Sequence, residues 1–339
     1  MARTESFDRL VLVGASAGGV SALTRLVSAL PADYALPTLI VLHVGAHRSL
    51  LPELLARASG RAVSFAADGE SIGPGRIRVA PPDVHLMVRD GEICLHRGPK
   101  ENLARPAIDP LFRSAARALG PRVVGVILTG RLDDGTAGLQ EIKRHGGIAV
   151  VQDPSEATER GMPSSAVRYV DVDHVVSLDR MPALLASFAK RPDATASTPA
   201  PRSRRPDLAA VELKVAMGDP SGMQHLSEIG ATSSLTCPEC HGTLWKLPDV
   251  RPVRYRCHTG HAFTACTLHA ALAESSDAAG WSALRALKER SALLREMAAT
   301  EQCMGYDDRS RDLLSTAAHV ERQAQVLQKL LHEGSAPID

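Results

Sequence analysis

Leu10-Val11-Leu12-Val13-Gly14-Ala15-Ser16-Ala17-Gly18-Gly19 is an apolar run that breaks into a glycine-rich turn with a serine at its tip. It reads as a buried strand, a tight turn and a helix opening behind it, the first unit of an α/β sheet. Two chemistries use that construction. A dinucleotide-binding domain brings the backbone N–H groups of such a turn, and a helix N-terminus, to a pyrophosphate. A serine hydrolase uses G-x-S-x-G to expose a nucleophilic hydroxyl above the sheet. The next strand-like run, Thr38-Leu39-Ile40-Val41-Leu42, ends in His43. A dinucleotide site wants Asp or Glu about 20 residues beyond the glycines, to hold a ribose hydroxyl. Neutral histidine cannot play that part but can act as a base, so the pair favours a hydrolase.

Working outward, residues 8 to 190 alternate apolar runs with helical stretches. The runs are 9–13, 38–42, 76–80, 84–88, 92–96, 122–128, 147–151 and 172–177, and the helical stretches include 18–30, 49–58, 109–119, 136–145 and 180–189. This alternation predicts a doubly wound, mostly parallel sheet covered on both faces. Within 76–96 the short runs are separated by Pro81-Pro82-Asp83 and Asp90-Gly91, and Asp-Gly between alternating apolar residues predicts an antiparallel hairpin insert. Four parts follow: a catalytic domain over 1–190, a disordered Pro/Ala/Ser/Thr/Arg linker over 191–207, a small module over 208–265 and a helical tail over 266–339. The linker is expected to keep the module independent of the first core. In the tail, Leu313, Ala317, Val320, Ala324, Leu327 and Leu331 form an a/d stripe, and Trp281, Leu284, Leu287, Leu294 and Ala298 a looser one. The two fold most simply as a hairpin, with association between chains through these helices as the alternative.

The chain's 339 residues can build two cores, and 44% hydrophobic with 23% charged residues is a globular composition. A net charge of +1 gives no global attraction to nucleic acid or to anionic membrane. No apolar run approaches the roughly 20 residues of a membrane-spanning helix. The acid-bearing start Met1-Ala2-Arg3-Thr4-Glu5 makes a poor signal peptide. Six cysteines, three of them at metal-like spacing, suit a reducing cytoplasm better than a disulfide scaffold.

A third piece ends the run Val123–Leu128, in Thr129-Gly130-Arg131-Leu132-Asp133-Asp134-Gly135-Thr136-Ala137-Gly138. Ligands of a parallel sheet bind at the carboxyl edge of its strands. Ser16, His43 and the Asp133/Asp134 pair all lie just past predicted carboxyl ends. Histidine can take the proton of a weakly nucleophilic serine, and a carboxylate can fix the imidazole tautomer. The order Ser…His…Asp fits poorly with α/β-hydrolases, which run Ser…Asp…His. Asp134 before Gly135 also suits an N-cap of the helix that follows. His47 and His85 read as surface or packing residues.

These blocks resemble the chemotaxis protein-glutamate methylesterases of the CheB type. So do Val79-Ala80-Pro81-Pro82-Asp83-Val84-His85-Leu86, Arg105-Pro106-Ala107-Ile108-Asp109-Pro110-Leu111-Phe112, and Gln152-Asp153-Pro154 through Gly161-Met162-Pro163. The resemblance covers residues 9 to 190. It implies Ser16 as nucleophile, His43 as general base and Asp134 as orienting carboxylate, with Asp133 where asparagine is usual. It also implies hydrolysis of glutamate γ-methyl esters on a methylated chemoreceptor or related signalling protein, with glutamine deamidation as a side activity and no cofactor for catalysis. The family's usual Gly-Met-Gly stands here as Gly130-Arg131-Leu132, and a backbone N–H near residue 131 is expected to help hold the oxyanion. The chain begins at the catalytic strand, so a receiver domain and its phosphorylation switch are not expected. The rivals are a small-molecule serine esterase on the same scaffold and a signalling adaptor without catalysis, which only Arg131-Leu132 favours.

Cys237-Pro238-Glu239-Cys240 followed by Cys257-His258-Thr259-Gly260-His261 has zinc-ribbon spacing in its first three ligands. His261 is the expected fourth, ahead of His258 and Cys266. Such a closed structural zinc site scaffolds rather than catalyses.

Overall fold

Strand β1 (Leu10–Ala15) is buried at every residue, because successive side chains enter opposite apolar layers of the sheet it centres. The computed structural model describes residues 7–190, 208–217, 219, 224, 230–248 and 251–333, and the expected linker at 191–207 lies outside them. Helix α1 (Gly19–Ser28) follows β1, then β2 (Thr38–Leu42), α2 (Leu51–Ser59), β3 (Val63–Phe65), β4 (Ile77–Val79), β5 (His85–Arg89) and β6 (Glu92–His96). Next come α3 (Ile108–Leu119), β7 (Val123–Ile127), α4 (Thr136–Arg144), β8 (Ile148–Gln152), α5 (Gly161–Tyr169), β9 (His174–Val176) and α6 (Met181–Ser187).

Seven strands form one sheet in the order β3-β4-β2-β1-β7-β8-β9, with every neighbouring pair parallel. Leu10 and Leu12 face a layer with Phe112, Leu139 and Met162, whereas Val11 and Val13 face one with Leu23, Leu26, Leu55 and Leu185. The direction of winding reverses at β1, between β2 on one side and β7 on the other. A crevice opens at such a reversal, outside the carboxyl ends of the strands.

The expected antiparallel insert is shorter than the sequence suggests. Only β5 and β6 pair antiparallel, around Asp90 at φ 53° and Gly91 at φ 83°, the two left-handed residues a tight hairpin requires. The run at 76–80 instead supplies β4 to the parallel sheet, because Ile77 and Val79 are buried in the layer that covers β2. Two elements escaped the sequence reading. β3 is a three-residue, half-buried edge strand, and α5 begins at Gly161-Met162-Pro163, outside the helical stretches named from the sequence.

Helix α7 (Leu208–Ala216) leads to a four-stranded antiparallel sheet in the order β10-β11-β12-β13: β10 (Ala231–Thr236), β11 (Thr243–Lys246), β12 (Arg254–Cys257) and β13 (Ala262–Thr264). The expected independence of this module does not hold, since Met1–Leu268 is one compact unit. Its own apolar cluster is small, Leu247 with Leu208 and Trp245. Buried charge ties it to the first sheet. Arg113 of α3 donates to Glu101, Arg256 of β12 reaches Glu101 at 2.9 Å and Glu212 of α7 at 3.4 Å, and Arg254 holds Glu212 at 2.8 Å. All five side chains are buried. Burial alone would raise the Glu101 carboxyl, but the charges of Arg113 and Arg256 outweigh it and bring the value to about 2.

From His269 onward the chain is a second unit. It holds most of α8 (Ala265–Cys303) and all of α9 (Asp307–Glu333), packed as an antiparallel hairpin. Ser310 Oγ donates to the Ala298 carbonyl at 2.9 Å, and Leu284, Ala298, Ala317, Val320 and Ala324 are buried. Among the described residues, no helix is long and apolar enough to cross a membrane.

Breaking one member of a buried charge network leaves an unpaired buried charge, a loss of about 3–5 kcal/mol. Glu101→Gln, which takes from Arg113 and Arg256 the carboxylate they share, should therefore lower the guanidinium unfolding midpoint of the whole Met1–Leu268 unit in one transition. A midpoint equal to wild type would contradict the role given to the network.

Candidate active site

Ser16, His43 and Asp134 follow β1, β2 and β7, which lie side by side at the winding reversal. Ser16 sits in the turn between β1 and α1, where its N–H donates to the Thr129 carbonyl and its carbonyl accepts from Gly19 N–H. Gly18 allows that turn: it stands at φ 77°, and a Cβ there would lie 2.8 Å from Thr158 Cβ. The opening of α1 therefore places its N-terminal amides close behind the serine.

The three side chains form a continuous hydrogen-bonded chain. His43 Nδ1 lies 3.1 Å from Ser16 Oγ, and His43 Nε2 lies 2.7 Å from Asp134 Oδ2. An ionised Asp134 can only accept, so Nε2 carries the proton and Nδ1 offers its lone pair to the serine hydroxyl. The chain opens into a cavity of about 460 Å³ whose lining includes Ala46, Lys100, Leu103, Arg105 and Arg131.

Asp134 is buried and accepts from four donors. Besides His43, these are Ile108 N–H at 2.7 Å, Asp109 N–H at 3.4 Å and Asn102 Nδ2 at 2.8 Å. Ala107 at the start of α3 has no capping side chain, and Asp134 supplies the cap. Asp134 thus caps α3 rather than α4, the helix directly after it. Burial would push its carboxyl up, but the His43 hydrogen bond and charge, Ile108 N–H and the Asn102 amide together hold it below the usual carboxylate value. Asp109 moves the other way, raised by burial and by the neighbouring Asp134 charge.

The neighbouring Asp133 does not contact His43. Its carboxyl accepts from Thr264 Oγ1 at 2.7 Å, and burial pushes it up to about 6. His85 is buried and neutral, with Nε2 donating to the Pro99 carbonyl and Nδ1 accepting from Ala107 N–H, while His47 is exposed. The 130–132 loop is more constrained than expected. Gly130 N–H donates to the Glu159 carbonyl at 3.1 Å and is thereby committed, which leaves the amide of residue 131 as the candidate donor to an oxyanion. Leu132 stands at φ 60°, the left-handed conformation suited to the glycine usual at this position in the CheB type. Arg131 points out to Glu159, 3.1 Å away, with 74% of its side chain exposed.

Asn102, Asp109 and Thr264 are the polar residues of this site that sequence reasoning missed. A lone buried asparagine or threonine has no spacing signature, and Asp109 reads as a first-turn acid of α3.

In the second sheet, two hairpin turns bring Cys237, Cys240, Cys257 and His261 together. Cys237–Cys240 lies in the β10–β11 turn and Cys257–His261 in the β12–β13 turn. One ligand atom from each of the four lies within 4.8 Å of all the others. Cys237 Sγ and Cys257 Sγ stand 3.7 and 3.5 Å from His261 Nδ1, and Cys240 Sγ stands 3.6 Å from Cys257 Sγ. Such separations suit tetrahedral edges around a zinc ion with sulfur ligands at about 2.3 Å. His258 is exposed, and outside the cluster lie Cys266 and Cys303 on α8 and Cys94 on β6.

Residues 11–185 match the family model described as CheB methylesterase. A "Putative protein-glutamate methylesterase/protein-glutamine glutaminase" of Leptospira interrogans is 38% identical over 173 residues, which is 50% of this chain and 90% of that protein. A "Protein-glutamate methylesterase/protein-glutamine glutaminase 1" of Xanthomonas euvesicatoria is 41% identical over 184 residues, and the match spans 51% of its length. The crystal structure of the Thermotoga maritima CheB methylesterase catalytic domain superposes with a TM-score of 0.51 at 30% identity, covering 54% of this chain and 100% of that one. The likeness stops short of the second sheet and the tail.

A carboxyl held below its ordinary value in the fold stabilises the fold at every pH above its unfolded value of about 3.9, and that contribution fades as pH falls through the lower native value. Asp134→Asn should therefore be less stable at neutral pH and show a shallower acid limb in a plot of unfolding free energy against pH. An acid limb superimposable on wild type would remove Asp134 from the groups held ionised by the fold.

Proposed function

Because the chain belongs to the CheB methylesterase family through residues 11–185, we propose that it is a protein-glutamate methylesterase, a carboxylic ester hydrolase acting on glutamate γ-methyl esters in another protein. The observation that carries the reading is the chain from Ser16 Oγ through the His43 ring to an ionised Asp134, opening into an accessible cavity. Ser16 Oγ attacks the ester carbonyl as His43 Nδ1 accepts its proton, and Asp134 on Nε2 stabilises the imidazolium that forms. The oxyanion rests against the amide of residue 131 and those after Ser16, at the start of α1. His43 returns the proton to the departing methoxide, which leaves as methanol, and water then releases the glutamate from Ser16. A glutamine amide fits the same steps with ammonia as the leaving group, in line with the second activity in the relatives' names.

The partner we propose is a methylated chemoreceptor or related signalling protein, met in the cytoplasm. Lys100, Arg105 and Arg131 line the cavity, each paired with an acid of the chain itself: Glu239, Asp83 and Glu159. Cys237, Cys240, Cys257 and His261 are the proposed ligands of a structural zinc, closed to substrate by its four protein ligands. The ion would supply folding free energy that the small Leu247 cluster does not.

Methanol release from a methylated receptor fragment tests the esterase. Ser16→Ala and His43→Ala should each lose about a thousandfold or more in rate, with little change in thermal midpoint. Asp134→Asn should cost less than either and more than Asp133→Asn. Full activity in Ser16→Ala would end the serine-esterase reading, and a more damaging Asp133→Asn would reassign the carboxylate.

For the metal, purified protein should carry about one zinc per chain, and Cys240→Ser should lose it. A zinc-free wild type that keeps an ordered second sheet would dismiss the ion.

A further inference from the structure

The second sheet reaches the hydrolase site along β13, where the Ala262 carbonyl accepts from Asn102 N–H at 2.8 Å, and at Glu239, which pairs with Lys100. Thr264 Oγ1 donates to Asp133 Oδ1 at 2.7 Å, and Thr264 N–H is shared between Thr267 Oγ1 at 2.8 Å and Asn102 Oδ1 at 3.1 Å. The Thr267 hydroxyl stands 3.3 Å from the same Asn102 oxygen. The other end of the Asn102 amide is aimed at carboxylates, with Nδ2 donating to Asp134 Oδ1 at 2.8 Å and to Asp109 Oδ2 at 3.0 Å. Asn102, Thr264, Thr267, Asp109 and Asp134 are all buried, so none of these bonds is exchanged readily with water.

The orientation of that amide is not free. A backbone N–H can only donate, so Thr264 demands the amide oxygen on its side and sends the NH₂ toward Asp134 and Asp109. A flipped amide would set its oxygen against two carboxyl groups and its NH₂ against a donor. Both faces would be repulsive, and Asp134 would lose one of its four donors. Asp134 Oδ2 is bound to His43, so Asn102 on Oδ1 helps fix the carboxylate plane in which the His43 ring is held.

We propose that Asn102 and Thr264 are positioning residues for the esterase, and that the Cys/His sheet, through Thr264, keeps Asp134 aligned on His43. Thr264 stands three positions after His261, so an ion held in the β12–β13 turn also anchors the start of the strand that ends on Asn102. The second sheet then governs turnover while touching no substrate. The inference rests on the serine-esterase reading.

The test uses the full chain and steady-state methanol release from a methylated receptor fragment, with Ser16→Ala as the blank. Thr264→Val keeps the shape and the N–H given to Asn102, and removes the hydroxyl that ties down Asp133, the neighbour of Asp134 in its loop. It should lower kcat about tenfold with KM within about twofold, and Thr264→Ser should restore kcat. Asn102→Asp, isosteric but without the NH₂ donor, should lower kcat about a hundredfold, again with little change in KM. Removing zinc from wild type with a chelator, with the loss verified by metal analysis, should lower kcat in the same way, and added zinc should return it. Wild-type kcat in Thr264→Val or in Asn102→Asp would overturn the inference. So would a Thr264→Ser variant as slow as Thr264→Val. Unchanged kcat in protein shown to have lost its zinc would overturn the anchoring through His261. Should Thr264→Val fail to fold, Asn102→Asp decides alone. An active Ser16→Ala defeats the esterase reading itself, whereas an inactive Ser16→Ala beside a fully active Thr264→Val defeats only the positioning role.

Discussion

A carboxylate kept ionised in the interior must be surrounded by donors, and in this chain the Asp134 carboxylate is the group around which that requirement is met. Its four donors come from three directions: the His43 ring after β2, the first amides of α3, and the Asn102 amide before α3. Each direction is a constraint on the fold. α3 has to begin at Ala107 with its N-terminus against the end of β7, and β2 has to end level with β1. The parallel sheet satisfies both, because its strands finish on one edge and the winding reverses at β1. The nearby Asp109 carboxyl is pushed up by burial and by the Asp134 charge, while the donors around Asp134 hold that carboxyl down.

The same region explains why the second sheet belongs to the first core. Val211, Val215, Leu244 and Phe263 are buried, which gives α7 and the second sheet one reason to stay packed. Glu101, Arg113, Glu212, Arg254 and Arg256 provide another reason, since none of them can be left alone in the interior. Glu101 immediately precedes Asn102. The ion network and the amide that supports Asp134 are therefore consecutive residues of one segment, and a shift in one is felt by the other.

The helical tail follows simpler rules. Leu284, Ala298, Ala317, Val320 and Ala324 bury a narrow seam, and small residues at the contact let the two helices approach closely. The middle of the expected stripe is buried while Leu313, Leu327 and Leu331 at its ends are half-buried.

Much of this was legible in the linear sequence. The Leu10–Gly19 stretch, the strand ending at His43 and the Asp133-Asp134 loop declare an α/β sheet with serine, histidine and aspartate on one edge, because side-chain period and strand polarity are local properties. Asp90-Gly91 marks its hairpin for the same reason, and the cysteine spacing marks two turns that bring four ligand-type side chains together. The choice of Asp134 over Asp133 came from the family resemblance and not from composition or spacing, because adjacent residues of a loop point in different directions that neither records. The tertiary structure alone decided that residues 76–80 join the parallel sheet, since a strand of three residues is chosen by what covers it. Above all, it decided that the cysteine-bearing sheet is no separate body. That outcome depends on charges at 101, 113, 212, 254 and 256 finding one another across more than a hundred residues of chain, a pairing that local sequence cannot specify and burial makes compulsory.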